Sequence, residues 1–447
     1  MKRMARKILR CNIKSAKIHT VKKNNNNNKL RHVLGIETSC DDTGIAIVDE
    51  HGTILAEGLS SQWDVHEQYG GVYPLMAARA HENNFQHVYN QVISEYKQKY
   101  SYDINNNNID AVAVTAGPGL AMCLNVGVRH ATRIANDLNV PLMRINHLEA
   151  HVLMARIENY QQQERIISFD DNDNSNTDTN SNNNNLKYPF LVLLVSGGHC
   201  MLLVAKGIGR FETLGATLDD SIGEAFDKVA RFLGLGFNEN GGGPAIEKLA
   251  IDGDEDSIKF PIPLAKHKNC NFSFSGLKTS VKYATEKLLK DKCNNDNIKK
   301  MEIKANIAAS FQKAAITHLK NRLEHAVNMC EKNSKNDKEY DNISSIVVCG
   351  GVAANKYLRN QLNDLCENLN IDIIYPAPKY CTDNGVMVAW AGMERLIHDD
   401  YTIPPVPQSS LDRFQKLKLE QKNKMKKNEN SEEDDYELLE FYPSWAL

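Results

Sequence analysis

The chain has 447 residues, enough for at least two hydrophobic cores, because domains run roughly 100 to 200 residues each. Its aromatic, charged and hydrophobic fractions are ordinary for a globular protein, and no apolar run approaches the ~18 residues that a membrane span needs. We therefore expect a soluble protein. The ten cysteines include no CxxC pair, which favours free thiols in a reducing compartment over a disulfide framework or a zinc knuckle.

Charge is distributed unevenly along the chain. Residues 1–32 carry eleven Lys and Arg and no acidic residue, so the rest carries a net charge of −14, against −3 for the whole. Basic residues interleaved with Met, Ile and Leu are typical of a mitochondrial transit peptide, and a solvated basic tail is the alternative. The acidic body gives nucleic-acid binding no support from net charge, so any RNA contact has to come from a local basic patch.

Low-complexity segments divide the chain. Asparagine-rich tracts at 24–28, 105–108 and 172–185 have too little apolar surface to fold and predict surface loops. The longest insertion, 161–187, separates a predicted N-terminal lobe (33–160) from a predicted C-terminal lobe (188–411). Residues 412–447 turn lysine-rich and then acidic, which predicts a flexible or peripheral charged tail.

The predicted elements alternate between strands and helices. β-rich runs at 33–38, 44–49 and 53–58 predict a meander, followed by a helix over 74–98, a buried strand over 110–115 and a helix over 123–138. The second half repeats this opening with strands at 190–195 and 200–205, a strand starting at 345, a helix ending near 369 and a strand over 371–376. Two similar halves predict α/β lobes that face one another across a nucleotide cleft.

A histidine pair lies between the two halves. His147 and His151 in HLEAH are four residues apart, so they lie on one face of a helix and can share a metal ion, whereas Glu149 points elsewhere. Because such a pair also occurs by chance, a site needs a third ligand, and Asp383 in the turn CTDNG is the candidate. This ligand set suits zinc or ferrous iron.

Glycine turns and isolated carboxylates complete the pattern. VSGGH (195–199), NGGGP (240–244), CGGVAAN (349–355) and AGPG (116–119) are each more often plain turns, but together they favour backbone cradles for phosphate or carboxylate oxygens. Asp227 either pairs with Arg231 on a helix surface or binds a ribose hydroxyl. Asp41 and Asp42 either form a turn or orient an amine or water. The segment NFSFSGLKT forms a polar cluster without an assigned purpose.

Ten segments occur in the order and approximate spacing of the tRNA threonylcarbamoyladenosine transferases. They are GIETSCDDTG (35–44), GGVYPLMAARAH (70–81), AGPGL (116–120), HLEAH, VSGGH, EAFDKVAR, GGP, SFSGLKT, CGGVAAN and TDNG. The chain resembles that family from about residue 33 to 391, outside the asparagine-rich insertions. The resemblance implies the ASKHA fold of actin, sugar kinases and Hsp70.

The resemblance also implies an activity and its residues. The reaction would transfer a threonylcarbamoyl group from threonylcarbamoyl-AMP, made by a separate synthase, to N6 of the adenosine beside the anticodon in tRNAs that read ANN codons. One divalent ion (zinc or iron) would lie on His147, His151 and Asp383. Contacts to the adenylate would come from Val195, Ser196, Gly197, Gly198, His199, Asp227, Gly243 and Asn355, with Glu247 weaker, and Asp41 or Asp42 would accept the amine proton.

Branch and assembly follow from the same resemblance. VSGGH, SFSGLKT and HLEAH look more like the bacterial and mitochondrial branch, which together with the leader predicts a homodimer in the mitochondrial matrix. Two departures bear on the site: FNENGGGP replaces the usual YPGGP, so Gly243 depends on alignment to Pro244, and Met122 and Asn125 are unusual in their glycine loop.

Three rival functions fit parts of the pattern. A small-molecule kinase of the same superfamily would use the glycine turns for ATP and leave HLEAH without a role. A metallopeptidase would need the HExxH motif, which the chain lacks. A non-catalytic ATP-dependent binding module would need no metal triad.

Overall fold

The computed structural model describes residues 30–67, 71–101, 108–157, 186–235, 242–292, 296–335, 337–341, 343–398, 441, 442 and 445. Residues 1–29 of the predicted transit peptide (1–32), nearly all of the asparagine-rich tracts and most of the predicted charged tail lie outside these residues. His32, the last residue of the range predicted for the transit peptide, is the first residue of a strand. Within them, no helix has the length and apolar character required to cross a bilayer.

Each half of the chain forms a lobe around one five-stranded sheet. The first half contains the strands β1 (His32–Glu37), β2 (Asp42–Asp49), β3 (Ile54–Ser61), β4 (Ala111–Gly117) and β5 (Leu142–Asn146), and the helices α1 (Trp63–Glu67), α2 (Pro74–Tyr100), α3 (Ala121–Leu138) and α4 (residues 147–157). The second contains β6 (Phe190–Val195), β7 (Cys200–Gly207), β8 (Arg210–Ala216), β9 (Ser345–Cys349) and β10 (Asp372–Ile374), and the helices α5 (Ile222–Phe232), α6 (Gly242–Ala250), α7 (Ser275–Lys292), α8 (Asn297–Asn333), α9 (Lys356–Leu369) and α10 (Gly385–Ile397).

The two sheets have the same topology. The strand order is β3-β2-β1-β4-β5 in one and β8-β7-β6-β9-β10 in the other. In each, the first strand pairs antiparallel with the second and parallel with the fourth. The predicted ASKHA architecture of duplicated α/β lobes is therefore confirmed.

Helix α10 comes from the second half of the chain but packs on the first lobe. It follows β10 in sequence and lies within the range 188–411 predicted for the second lobe, yet it packs on β1 and β2 of the first sheet. Glycines allow this approach, since a Cβ on Gly35 would lie 2.2 Å from Ala389 N and one on Gly385 would lie 2.5 Å from the Ile45 carbonyl carbon. The sequence-based division by chain order therefore does not match the packing of this helix.

The end of the chain also returns to the first lobe. Phe441, Tyr442 and Trp445 are buried in the core between the first sheet, α2 and α3. The backbone N–H of Tyr442 donates to Ala116 O at 2.6 Å, next to the AGPG turn. For these three residues the prediction of a peripheral tail is wrong, because their aromatic side chains supply apolar surface that a solvated tail would leave exposed.

Candidate functional site

His147, His151 and Asp383 meet at one point between the lobes. One ligand atom from each lies within 4.8 Å of the others. The Asp383 carboxylate oxygen Oδ1 is 3.1 Å from His151 Nε2 and 3.5 Å from His147 Nε2. Two imidazole nitrogens and one carboxylate oxygen on a common point form a donor set that fits zinc or ferrous iron.

Local capping positions the three ligands. Asn146 ends β5, and its Oδ1 accepts from the backbone N–H groups of Leu148 and Glu149, which starts α4 at the first histidine. Asn384 caps α10 in the same way by accepting from Met387 N, and Asp383 immediately precedes it. His147 thus lies at the start of α4, and Asp383 lies just before the start of α10.

Glu37 is a functional residue that the sequence analysis did not single out. This carboxylate is fully buried at the end of β1 and lies 3.2 Å from His147 Nδ1. Its other hydrogen bonds come from Ser39 N and Thr115 Oγ1, each at 2.5 Å. Because Glu37 holds Nδ1, the other nitrogen of His147 is left to face Asp383, as in carboxylate–histidine–metal arrangements. The available signal was an acidic residue directly after the apolar run of β1.

The charged groups of the cluster shift one another's pKa values. Burial alone lowers the pKa of His147, but the carboxylates of Asp383 and Glu37 outweigh it and raise that pKa to about 9. Burial works in the opposite direction on Asp383, where the imidazoles of His147 and His151 prevail and lower its pKa. Without a metal the site is therefore an ion pair, in which a divalent cation would replace the imidazolium proton.

The VSGGH turn lies beside this cluster. Ser196 and His199 close it, with Ser196 N donating to His199 O at 2.8 Å. Gly197 and Gly198 are exposed, and a Cβ on either would meet nothing within 4 Å, so a ligand can approach their backbone. Burial, together with the charges of His147 and His151, lowers the pKa of His199 to about 4, so its ring is neutral at physiological pH.

The remaining predicted adenylate contacts line the second lobe. Asp227 Oδ1 accepts from Gly242 N at 2.9 Å, which places Gly243 in the first turn of α6. Glu247 accepts from Lys356 N at 2.7 Å, and the neighbouring Asn355 caps α9. Asn355 is buried and also donates to Gln312 at 3.0 Å. The Asp227 carboxylate therefore faces the start of α6, and the charge of Arg231 also acts on it by opposing the rise in its pKa that burial causes.

Val195 and Gly350 bring two of the predicted turns together. Val195 is buried at the end of β6, and a Cβ on Gly350 would lie 2.4 Å from its carbonyl oxygen. The VSGGH and CGGVAAN turns are therefore neighbours at one edge of the second sheet.

Asp41 and Asp42 lie on the first-lobe side. Burial and the charge of Asp41 raise the pKa of Asp42 to about 7, and its Oδ1 is buried without a hydrogen-bond partner among the described residues. Burial also raises the pKa of Asp41. Both groups feel the charge of Asp383, so they lie near the proposed ligands.

Comparison with known proteins identifies the family. The model of tRNA N6-adenosine threonylcarbamoyltransferase matches residues 53–167 and 176–390. A probable mitochondrial tRNA N6-adenosine threonylcarbamoyltransferase of Arabidopsis thaliana is 43% identical over 376 residues, which is 83% of this chain and 71% of that protein. The chain belongs to this family.

Other relatives include both bacterial and mitochondrial members of the threonylcarbamoyltransferase family. The enzyme of Thermosipho africanus is 41% identical over 84% of this chain and 98% of its own length, and the mitochondrial enzyme of Xenopus tropicalis is 38% identical over 82% and 83%. Full-length HypF, solved in a phosphate- and nucleotide-bound form, aligns with a TM-score of 0.49 and 13% identity over 83% of this chain and 47% of that one.

The loop FNENGGGP, which departs from the family's usual YPGGP, lies mostly outside the described residues. Of the loop FNENGGGP, the structure describes Gly242, Gly243 and Pro244, all in α6. Met122 is 46% exposed at the start of α3, so its long side chain does not occupy the core behind the AGPG turn.

Proposed function

We propose that this member of the threonylcarbamoyltransferase family transfers a threonylcarbamoyl group from threonylcarbamoyl-AMP to N6 of the adenosine beside the anticodon in mitochondrial tRNAs that read ANN codons. The single observation that carries the proposal is the meeting of His147, His151 and Asp383 next to the open VSGGH turn. A site for charge stabilisation and a backbone cradle thus lie side by side. The mitochondrial relatives and the basic leader support the compartment.

The chemistry demands an activated donor and accurate placement. The adenosine amine is a poor nucleophile, because its lone pair is delocalised into the ring. It attacks the carbamoyl carbon, the bond from that carbon to the phosphate oxygen breaks, AMP leaves, and the amine gives up a proton. A divalent ion held by His147, His151 and Asp383 would supply Lewis-acid stabilisation of negative charge at this centre.

The chain's own residues have separate tasks in this reaction. The N–H groups of Gly197 and Gly198 are accessible to donate to the acyl end of the donor, in the manner of an oxyanion site. Asp227 and the start of α6 hold the nucleoside part, with Asn355 and Glu247 fixing the neighbouring start of α9. Asp42, whose buried carboxylate titrates near neutrality, accepts the amine proton.

Reconstitution tests the function. Purified protein is incubated with unmodified tRNA, threonine, bicarbonate, ATP and a threonylcarbamoyl-AMP synthase, and the nucleosides are analysed by mass spectrometry. We expect threonylcarbamoyladenosine only when both proteins are present. Phosphate transfer to a small molecule without tRNA would instead support a kinase, and absence of the modified nucleoside with an active synthase contradicts the proposal. Light scattering on the same preparation tests the expected homodimer.

A further inference from the structure

Helix α7 starts at the edge of the proposed active site. Ser221 Oγ donates to Gly197 O at 2.5 Å, which joins the start of α5 to the VSGGH turn. Two residues earlier, Asp219 accepts from Ser273 Oγ at 2.6 Å and from Ser275 Oγ at 2.7 Å. The segment SFSGLKT is thereby fixed beside the turn, and α7 leads away from it for roughly 27 Å, at 1.5 Å per residue.

One face of α7 is exposed between Thr279 and Lys290. Leu277, Val281 and Thr285 are buried against the lobe. On the opposite face, exposed side chains recur every three or four residues, as on one side of a helix. They are Thr279, Lys282, Tyr283, Glu286, Lys287 and Lys290. We call Lys282, Tyr283, Lys287 and Lys290 the basic stripe. The side chain of Lys282 is 52% exposed and Tyr283 is 66% exposed.

The basic stripe lies in a region whose charge is opposite to that of the rest of the protein. Residues 257–292 contain eight lysines and two acidic residues, whereas the chain beyond residue 32 is strongly acidic. Glu286 is the acidic residue on this face, and its carboxylate is 4.0 Å from Lys282 Nζ. Lysines outnumber acidic residues on this exposed face, which also carries an exposed tyrosine and starts at the cleft. Such a face is suited to a nucleic acid, whose phosphates attract lysine and whose bases can stack on the tyrosine ring.

We propose that the basic stripe binds the phosphate backbone of the tRNA whose adenosine enters the cleft, with Tyr283 stacking on an exposed base or ribose. This inference rests on the proposed function. RNA is favoured over an acidic protein, because the substrate has to extend outward from the cleft edge where the stripe begins. The basic stripe is also a local basic patch of the kind that RNA binding needs in a protein whose chain is otherwise acidic.

Charge reversal tests the stripe. The variants are Lys282→Glu/Lys287→Glu and Tyr283→Ala, with Lys97→Glu/Lys99→Glu at the exposed end of α2 as the matched control. Binding of labelled unmodified tRNA by the full chain is measured by fluorescence anisotropy at several salt concentrations. We expect the stripe double variant to weaken binding about tenfold or more at low salt and to reduce the slope of log affinity against log salt by about 2, one unit per lost phosphate contact. Tyr283→Ala should weaken binding with little change in slope.

The outcomes separate this inference from the proposed function. Metal content and melting temperature establish that the variants are folded. If wild-type protein forms the modified nucleoside and the stripe variants bind tRNA as it does, the inference fails and the proposed function stands. A loss of tRNA binding in the control variant equal to that in the stripe variants also overturns it. If wild-type protein binds no tRNA, the stripe has no RNA partner and the inference fails.

Discussion

Two carboxylates contact the His147 ring, one at each nitrogen. Asp383 offers a ligand oxygen on the side of Nε2, and Glu37 lies behind Nδ1 in a fully buried position. The histidine spacing predicted the ligand pair, since positions four residues apart share a helix face. It could not predict Glu37, because the partner of Nδ1 comes from a strand 110 residues earlier in the chain.

Glu37→Gln tests the role of this carboxylate. The amide keeps the shape but gives up the charge that holds the His147 ring, so we expect metal affinity to fall by about 10- to 100-fold. Competition with a chelator of known affinity measures the change. Glu50→Gln is the control, because it removes a carboxylate from a surface ion pair with Arg31 at 2.7 Å and should leave metal affinity unchanged. Equal affinity in Glu37→Gln and wild type would contradict the role.

Asp42 predicts a pH dependence. Its pKa is raised to about 7, chiefly by burial, so the carboxylate is neutral below that pH and becomes a base above it. We expect the rate of nucleoside formation to rise through about pH 7 in wild type and to lose this limb in Asp42→Asn. A cation bound at Asp383 would attract the ionised form and move the limb to lower pH. A pH profile that is the same in both proteins would remove Asp42 from the reaction.

The raised pKa of Asp42 also predicts that the protein loses stability as pH rises, whereas the reaction rate increases. An acid whose pKa is higher in the folded than in the unfolded state favours folding at low pH and loses that contribution as pH rises through the folded-state value. Asp42→Asn should therefore raise the melting temperature relative to wild type above pH 7, with the difference vanishing near pH 4. A difference that does not depend on pH would show that burial of Asp42 is not its cause.

At the scale of elements, one buried carboxylate connects α4 to α10 and to the second lobe. Glu149, the residue between the two histidines, is fully buried; its Oε2 accepts from Arg395 Nη2 at 2.7 Å and its Oε1 from Gly209 N at 2.7 Å. One carboxylate thus joins α4, α10 and the β7–β8 turn. The spacing in HLEAH predicts that Glu149 points away from the face shared by His147 and His151, which the structure confirms. Its partners come from distant segments that no periodicity reveals.

Breaking this contact should destabilise the protein. Glu149→Ala removes the buried carboxylate at 2.7 Å from Nη2 of the Arg395 guanidinium, which is 2% exposed, and we expect the unfolding free energy to fall by about 3–5 kcal/mol. Urea denaturation measures it. Replacing both partners by apolar residues, as in Glu149→Leu/Arg395→Met, should cost much less, since no charge remains buried. Equal losses in the single and double variants would show that lost packing, and not the loss of the ion pair from one side, dominates.

For the whole molecule, sequence order and spatial order differ at two places. The repeated strand pattern predicted two lobes of the same topology, because β-rich runs and glycine turns recur in the same sequence in each half. The strand pattern could not predict that α10 and the chain end pack on the first lobe. Both depend on complementary surfaces, such as the absence of side chains at Gly35 and Gly385, that become neighbours only after the sheets form.

The chain end therefore contributes to the first lobe like a core element. Trp445 is fully buried, and its carbonyl oxygen accepts from Asn146 Nδ2 at 3.4 Å, the side chain that also caps α4 at His147. We expect Trp445→Ala to lower the unfolding free energy by about 3–5 kcal/mol through loss of buried surface and the cavity left behind. Trp445→Phe should lose less, because much of the ring volume is kept.

Deleting residues 441–447 extends this test to the metal centre. The deletion removes the partner of Asn146 as well as three buried aromatic rings, so the start of α4 loses support on one side. We expect the truncated protein to melt at a lower temperature than Trp445→Ala and to release its metal at a lower chelator concentration than wild type. Because the cap from Asn146 to Leu148 N and Glu149 N remains, α4 should still form, and metal should still bind at saturating concentration. A truncated protein with wild-type melting temperature and metal retention would show that the chain end is a peripheral tail after all.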